Sequence, residues 1–343
     1  MNAQRAVWRI DKAGDITDLR LLNDDLADLA SDMVRVQVQA VGLNFADIFA
    51  LTGLYSATPK GAFIPGLEFS GIVIDNRDAQ SQLNVGDRVM GCIRFGAYAT
   101  VVDVAASQLT RLPDDWSFAQ GAAFLVQTFT AWYALRELGN VKAGQLALIH
   151  SAAGGVGLQA LQLCKAFGVN VIGSVGDATK QQWLRQQGWR EVIIRDAQFA
   201  DNLQHAIGER ELRVVLDGVG GKTQQQSFEA LAPCGRLIVF GAAEFTPGKR
   251  RPNWMKIAWR YFRRPRYEVL NMISANKSVM AFNLIWLWQK RELFDQMNRE
   301  LAVLHLPPPH IGHRDDFTQA AEAIEKLRSG TSFGKIVLML NEH

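Results

Sequence analysis

The sequence predicts an α/β fold in which a doubly wound parallel sheet sits beside a second, strand-rich domain. Three observations carry this. From about residue 124, short apolar runs alternate with runs of helical spacing: QLALIH, Leu158–Phe167, NVIGSV, Lys180–Gln187, EVIIR, VVLDGVGG and RLIVFGAA. Alternation at that interval places helices on both faces of a parallel sheet. Residues 1 to about 123 follow another rhythm, of turns and short strands. At 343 residues the chain also exceeds the usual size of one hydrophobic core, so two domains are expected.

Each element has its own signal. MVRVQVQAVGL alternates apolar and polar residues, FSGIVID is a short β-like run, and VGDRVMG is a turn followed by a strand. Phe45 to Leu51 is spaced as a helix. SVMAFNL fits a last strand of the parallel sheet. In the tail, Asp315 or Asp316 caps a helix with Phe317, Ala320, Ala321, Ile324 and Leu327 on one face, and GKIVLML is a final strand. No internal repeat or low-complexity tract interrupts the chain.

With 48% apolar and 21% charged residues, the composition is that of a soluble globular protein rather than a disordered one. Three dispersed cysteines suit a reducing compartment. No apolar stretch near the start resembles a signal peptide, and SVMAFNLIWLW is too short and too interrupted to span a bilayer. The expected location is cytoplasmic. Charge is uneven: Lys249 to Arg266 holds eight basic residues and no acidic one, so the remainder is net acidic. Trp254, Trp259, Tyr261 and Phe262 are interleaved with these cations. One reading is a solvated insert that covers a sheet edge or a cleft, or helps a dimer contact. Another is peripheral contact with an anionic membrane surface through Lys249–Arg266. No recognised module accompanies the charge to suggest nucleic acid.

The stretch LALIHSAAGGVGLQALQLCK is a buried strand, a turn nearly bare of side chains, and a helix. It is a variant of the dinucleotide-binding fingerprint, with Ala152 where the first glycine usually stands, and it marks the parallel sheet as a Rossmann domain. Gly154, Gly155 and Val156 would offer backbone amides to a pyrophosphate, and Gly157 would let helix and strand pack closely. The next strand ends without the acid that holds a ribose 2′-hydroxyl. Ser174 and Lys180 near that end, with Arg195 ending the third strand, suit a 2′-phosphate, which favours NADP(H) over NAD(H). Asp177 is the contrary feature, and solvated surface charge is the plainer reading of Lys180 and Arg195. Gly218, Val219, Phe240, Gly241 and Ala242 follow two further strands, where ligands gather in open α/β sheets.

Five motifs in order then resemble one family. VGLNFADIFALTGLY, IPGLEFSGIV, VGDRVMG, HSAAGGVG and GKIVL look like a zinc-independent quinone oxidoreductase of the medium-chain dehydrogenase/reductase superfamily. NKSVMAFNL and the basic insert resemble its synaptic-vesicle membrane protein (vesicle amine transport) branch. The resemblance implies a GroES-like, partly open β-barrel catalytic domain, residues 1–123 and 285–343. The Rossmann domain, 124–284, would be inserted within it, would itself carry the basic insert at about 245–270, and would hold nicotinamide at the cleft. It implies no metal, because Asn44 and Leu67 stand where relatives carry zinc ligands. It implies an NADPH-dependent reduction of a quinone or α,β-unsaturated carbonyl. Asn44 would be an amide donor near the ribose or substrate, Asp47 would orient its loop, and Tyr55 would offer a hydroxyl to the substrate. Helix capping by Asn44 and loop packing by Tyr55 are the plainer alternatives. Thr130, Ser332 and Phe333 would complete the cofactor site, and pairing of Ser278–Leu284 strands would make a homodimer. The alternative function is a membrane-associated adaptor with little turnover on the same scaffold.

Overall fold

The computed structural model describes residues 4–246 and 252–340. Contacts divide the described residues into one unit built from 4–126, 252–253 and 308–340 and another from 127–246 and 254–307. The chain therefore leaves the second unit at residue 308, not 285. The reason is helix Arg291–Leu304, which buries Met297 and Leu301 and whose Glu300 accepts a hydrogen bond from the Trp132 indole, all within that unit.

In the first unit, seven strands form one sheet. Val34–Gly42 lies at its centre and alternates buried and half-exposed residues through Val34, Val36 and Val38, as its sequence predicts. It pairs antiparallel with Glu68–Asn76 on one side and with Lys335–Met339 on the other, so the end of the chain closes beside its beginning. Helix Phe45–Leu51 follows directly, with Asn44 as its N-cap residue. Val36, Ile48, Leu51, Phe69, Tyr98, Val102, Ile324 and Leu338 belong to one core. In the tail, Asp316 caps a short turn, Phe317–Gln319, that leads into helix Ala320–Ser329. That helix buries Ala323 in place of the expected Ala321, which is half-exposed. Strand Ile311–Asp316 had no apolar signal, because its residues are half-exposed or exposed at the sheet edge.

In the second unit, six parallel strands run in the order Val192–Ile194, Asn170–Val175, Leu146–His150, Leu212–Asp217, Arg236–Val239, Ser278–Ala281. This is the doubly wound order, with the reversal beside Leu146–His150. All five residues of that strand are buried, which is why its first four, Leu146 to Ile149, are continuously apolar. Ser278–Ala281 is the edge strand expected from SVMAFNL. Helix Gly155–Ala166 starts three residues before its apolar spacing does, because glycines carry its first turn. The described part of the basic insert forms helices Trp254–Arg263 and Val269–Ala275, while Lys249, Arg250 and Arg251 lie outside the described residues. Among the described residues no helix is long and apolar enough to cross a membrane.

Candidate functional site

The glycine turn of the second unit has the form a phosphate needs. Ser151 takes a positive φ of 50° to turn the chain, and the Ala152 amide donates to the Ser174 carbonyl at 3.0 Å. A Cβ on Gly157 would lie 2.3 Å from the Ser151 carbonyl oxygen and 2.7 Å from the Ala152 Cα, so only glycine lets the helix sit this close. A Cβ on Gly154 would meet nothing nearer than 3.2 Å. Gly154, Gly155 and Val156 are half-exposed, and no side chain caps the helix. Its first amides and dipole therefore favour an anion at the turn.

Beyond the next strand, burial lowers the Lys180 pKa and the charge of Arg195 lowers it a little further, against the pull of Asp177. The Arg195 Nη1 donates to the Ser174 carbonyl at 2.8 Å and to its Oγ at 3.2 Å. The carboxylate of Asp177 is turned to its own helix, where it accepts the Lys180 amide at 2.9 Å as N-cap of Ala178–Gln186. Asp177 is thus a capping residue, whose charge still reaches both Lys180 and Arg195. Ser174 requires correction in the other direction. It is fully buried and its hydroxyl meets the His150 Nδ1 at 2.6 Å, so it supports the site from below instead of facing a ligand.

Gly218, Val219, Phe240, Gly241 and Ala242 do come together. The buried Asp217 accepts the Val219 amide at 2.9 Å and the Gly220 amide at 3.1 Å, which shapes that turn. The Phe240 ring packs over Gly218, where a Cβ would be only 3.0 Å away. Ala242 lies between Gly241 and a short turn at Ala243–Phe245 whose first amide donates to the Gly218 carbonyl. Thr130 is buried in helix Leu125–Trp132. Ser332 and Phe333 are half-buried in the first unit, just before strand Lys335–Met339.

The first unit gathers Asn44, Asp47, Glu68, Tyr98 and Lys335 into one buried cluster. Register does this: Gly42 faces Glu68 on one neighbour and Val337 on the other, which brings Lys335 to the same end of the sheet. A Cβ on Gly42 would stand 3.0 Å from both the Glu68 and Lys335 side chains and would strike the Ala122 carbonyl. The Lys335 Nζ donates to Glu68 Oε1 at 2.5 Å and to Asn44 Oδ1 at 2.9 Å. An ammonium only donates, so the amide oxygen must face it, and this turns Nδ2 toward acceptors. Nδ2 donates to Glu68 Oε1 at 3.0 Å and to the Gly42 carbonyl at 3.2 Å. Both amide hydrogens are engaged. Asn44 is therefore no donor to a ribose or substrate.

Asp47 is placed to position the loop that carries Asn44. It has no exposed surface, and its Oδ2 accepts the Asn44 amide at 2.8 Å and the Tyr98 hydroxyl at 3.1 Å. Its Oδ1 is buried without a partner. Burial pushes its pKa up to about 7 against the pull of the Asn44 amide, the Lys335 ammonium and the Tyr98 hydroxyl. Burial likewise lowers the Lys335 pKa, opposed chiefly by Glu68. The Cys92 thiol is pushed well up by burial, and further by Glu68, so it is unreactive. Tyr55 is half-buried against the core, in a loop whose Tyr55 amide donates to the Phe49 carbonyl. Among the described residues no three His, Cys, Asp or Glu side chains gather as a metal cage.

Lys335, Tyr98 and the structural part of Glu68 were missed in sequence. A signal existed: a lysine opening an otherwise apolar strand, GKIVLML, needs a buried counter-charge.

Comparison with known proteins bears on both units. Residues 30–114 match the alcohol dehydrogenase GroES-like domain, and residues 155–270 match the zinc-binding dehydrogenase family. The chain is 31% identical over 311 residues to the rat synaptic vesicle membrane protein VAT-1 homolog, covering 89% of this chain and 76% of that one. This chain belongs to the medium-chain dehydrogenase/reductase superfamily. The zebrafish VAT-1 homolog is 32% identical over 314 residues, 90% of this chain, which spans 64% of that protein's length. The Escherichia coli quinone oxidoreductase, solved in complex with NADPH, superposes with a TM-score of 0.82 at 28% identity, covering 98% of this chain and all of that one. The medium-chain dehydrogenase/reductase fold accounts for both the GroES-like first unit and the Rossmann second unit.

Proposed function

We propose that this superfamily member is an NADPH-dependent oxidoreductase that reduces a quinone or an α,β-unsaturated carbonyl without a metal. The observation that carries it is the cradle of the second unit: an uncapped, glycine-built helix start with Lys180 and Arg195 together beyond the next strand. Burial disfavours both charges, and a 2′-phosphate bound beside them would offset that cost. Bound NADPH would supply hydride from nicotinamide C4 to an acceptor whose added charge spreads onto oxygen. The chain's own part is to bind and to hold. The turn at 152–157 holds the diphosphate, with Gly218, Val219 and Phe240–Ala242 beside the cofactor. Thr130, Ser332 and Phe333 are the further residues assigned to it. In the first unit Lys335, Glu68 and Asp47 hold Asn44 and its helix rigid, and Tyr55 is the hydroxyl assigned to the substrate.

An NADPH-oxidation screen over quinones, alkenals and enones tests the reaction, with Lys180→Glu as control. The substitution should weaken NADPH binding by roughly one to two orders of magnitude and leave NADH within about threefold. Equal loss for both nucleotides would remove Lys180 from the phosphate site.

One observation favours a second property, peripheral contact of an otherwise cytoplasmic protein with anionic membrane. Helix Trp254–Arg263 turns its apolar stripe outward: Trp254, Met255, Trp259 and Phe262 are 62, 82, 58 and 69% exposed. Lys256, Arg260 and Arg263 border it, and Val269, Leu270 and Ile273 of the next helix are exposed too. Such a face combines apolar insertion with attraction to anionic headgroups. Sedimentation with phosphatidylserine vesicles at low salt should pellet the protein, and neutralising Arg260, Arg263, Arg264 and Arg266 should abolish this. A homodimer through the open edge of Ser278–Ala281 is the other assembly proposed.

A further inference from the structure

Beneath the glycine turn lies a set of polar groups that the proposed reaction does not use. His150 is buried at the end of its strand, with Nδ1 at 2.6 Å from the Ser174 Oγ and Nε2 at 2.9 Å from the Ser227 Oγ. The directions of these bonds can be worked out. The Ser227 hydroxyl gives its single hydrogen to the Thr223 carbonyl at 2.8 Å, so toward His150 it can only accept. His150 must then carry its proton on Nε2, which leaves Nδ1 as an acceptor. Ser174 therefore points its hydrogen at Nδ1 and its lone pairs away from the ring. The Arg195 Nη1 arrives on that other side, at 3.2 Å from Oγ. The opposite tautomer would aim two donors at the Ser174 Oγ and leave its own hydrogen without an acceptor. Burial keeps the ring neutral, with its pKa depressed to about 3, so no second proton disturbs the order.

The Ser174 carbonyl accepts from both the Ala152 amide of the glycine turn and the Arg195 Nη1. One residue thus ties the diphosphate turn to the guanidinium. Among the described residues Arg195 gives hydrogen bonds through its side chain only from Nη1. Its Nη2 lies 3.7 Å from where a Cβ of the exposed Gly176 would stand, at the open end of strand Asn170–Val175.

We infer that His150 is a specificity-positioning residue: through Ser174 it holds Arg195 with Nε and Nη2 free for an adenosine 2′-phosphate. This rests on the NADPH reading above. His150 touches no ligand itself. It fixes the direction of one hydroxyl, and that hydroxyl fixes a planar donor whose value to a phosphate depends on its orientation.

Calorimetry of the whole protein with NADPH and with NADH tests this without any turnover. His150→Leu and Ser174→Ala should each weaken NADPH about threefold to tenfold while NADH changes by less than about twofold. His150→Asn, whose amide oxygen can still accept from Ser174, should recover most of the preference. If both nucleotides weaken equally, or neither does, the inference is overturned; should His150→Leu not fold, Ser174→Ala and His150→Asn decide it alone. Wild-type protein that binds both nucleotides equally overturns the inference and leaves hydride transfer standing. Wild-type protein that binds neither overturns both.

Discussion

In the first unit Lys335 and Glu68 meet as a buried ion pair with Asn44 and Asp47 packed around them, whereas in the second unit His150, Ser174 and Ser227 form a buried chain of neutral groups that meets a charge only at Arg195. Both clusters lie under a turn that leads from a strand into a helix, at Asn44 and at Gly154. The charged cluster orients by strong, long-range attraction and is costly when one partner is lost. The neutral one orients by the direction of single hydrogens, so it tolerates substitution but loses its order. The rigidity of the first suits a loop that must not move. The directionality of the second suits a discriminating contact.

The largest expected effect breaks the charged cluster. Lys335→Met leaves the Glu68 carboxylate buried without its cation and should cost about 3–5 kcal/mol in urea unfolding, and adding Glu68→Gln should restore part of it. Loss of less than about 1 kcal/mol in the single variant would show that the ion pair carries little.

Next come opposite dependences on pH. Asp47 is raised in the folded protein to about 7, above its unfolded value, so its contribution is fully present below the unfolded pKa and is lost as pH rises through about 7. His150 is lowered to about 3, so its contribution is present above its unfolded pKa near 6.5 and is lost as pH falls toward 3. Relative to Asp47→Asn, wild-type stability should therefore fall between pH 4 and 7, by at most on the order of 4 kcal/mol. Relative to His150→Asn it should rise across the same interval. Chemical denaturation at several pH values measures both slopes, and two slopes of the same sign would contradict the contrast.

The smallest effect separates packing from binding within the glycine turn. Gly157→Ala should destabilise by about 1–3 kcal/mol, because its methyl collides with the Ser151 carbonyl. Gly154→Ala should cost less, about 1 kcal/mol, because its methyl would stand 3.2 Å from the Ser151 carbonyl, yet it should weaken NADPH by crowding the diphosphate. Thermal unfolding and calorimetry of the two variants distinguish them.

Legibility followed the distance over which each interaction acts. The strand before the glycine turn, the turn, and helix Phe45–Leu51 were readable because burial on both faces, missing side chains and 3.6-residue spacing are written into neighbouring residues. Strand Ile311–Asp316 was not, because a half-exposed edge has no apolar pattern. The reach of the second unit to residue 307 depended on Glu300 meeting Trp132, and no local pattern announces that contact.

By itself the sequence determined a Rossmann sheet opened by residues 146–157, a strand-rich partner, the lack of a ribose-binding acid, and a stretch of cations among tryptophans. Only the tertiary structure decided that Lys335 crosses 291 positions to hold Asn44 and that Asp177 is turned to its own helix. It alone placed Ser174 beneath the cofactor cradle, facing His150. The physical reason is that periodicity and backbone freedom are local properties. The direction of a buried hydrogen bond is set by whichever donors and acceptors the folded sheet brings within 3 Å.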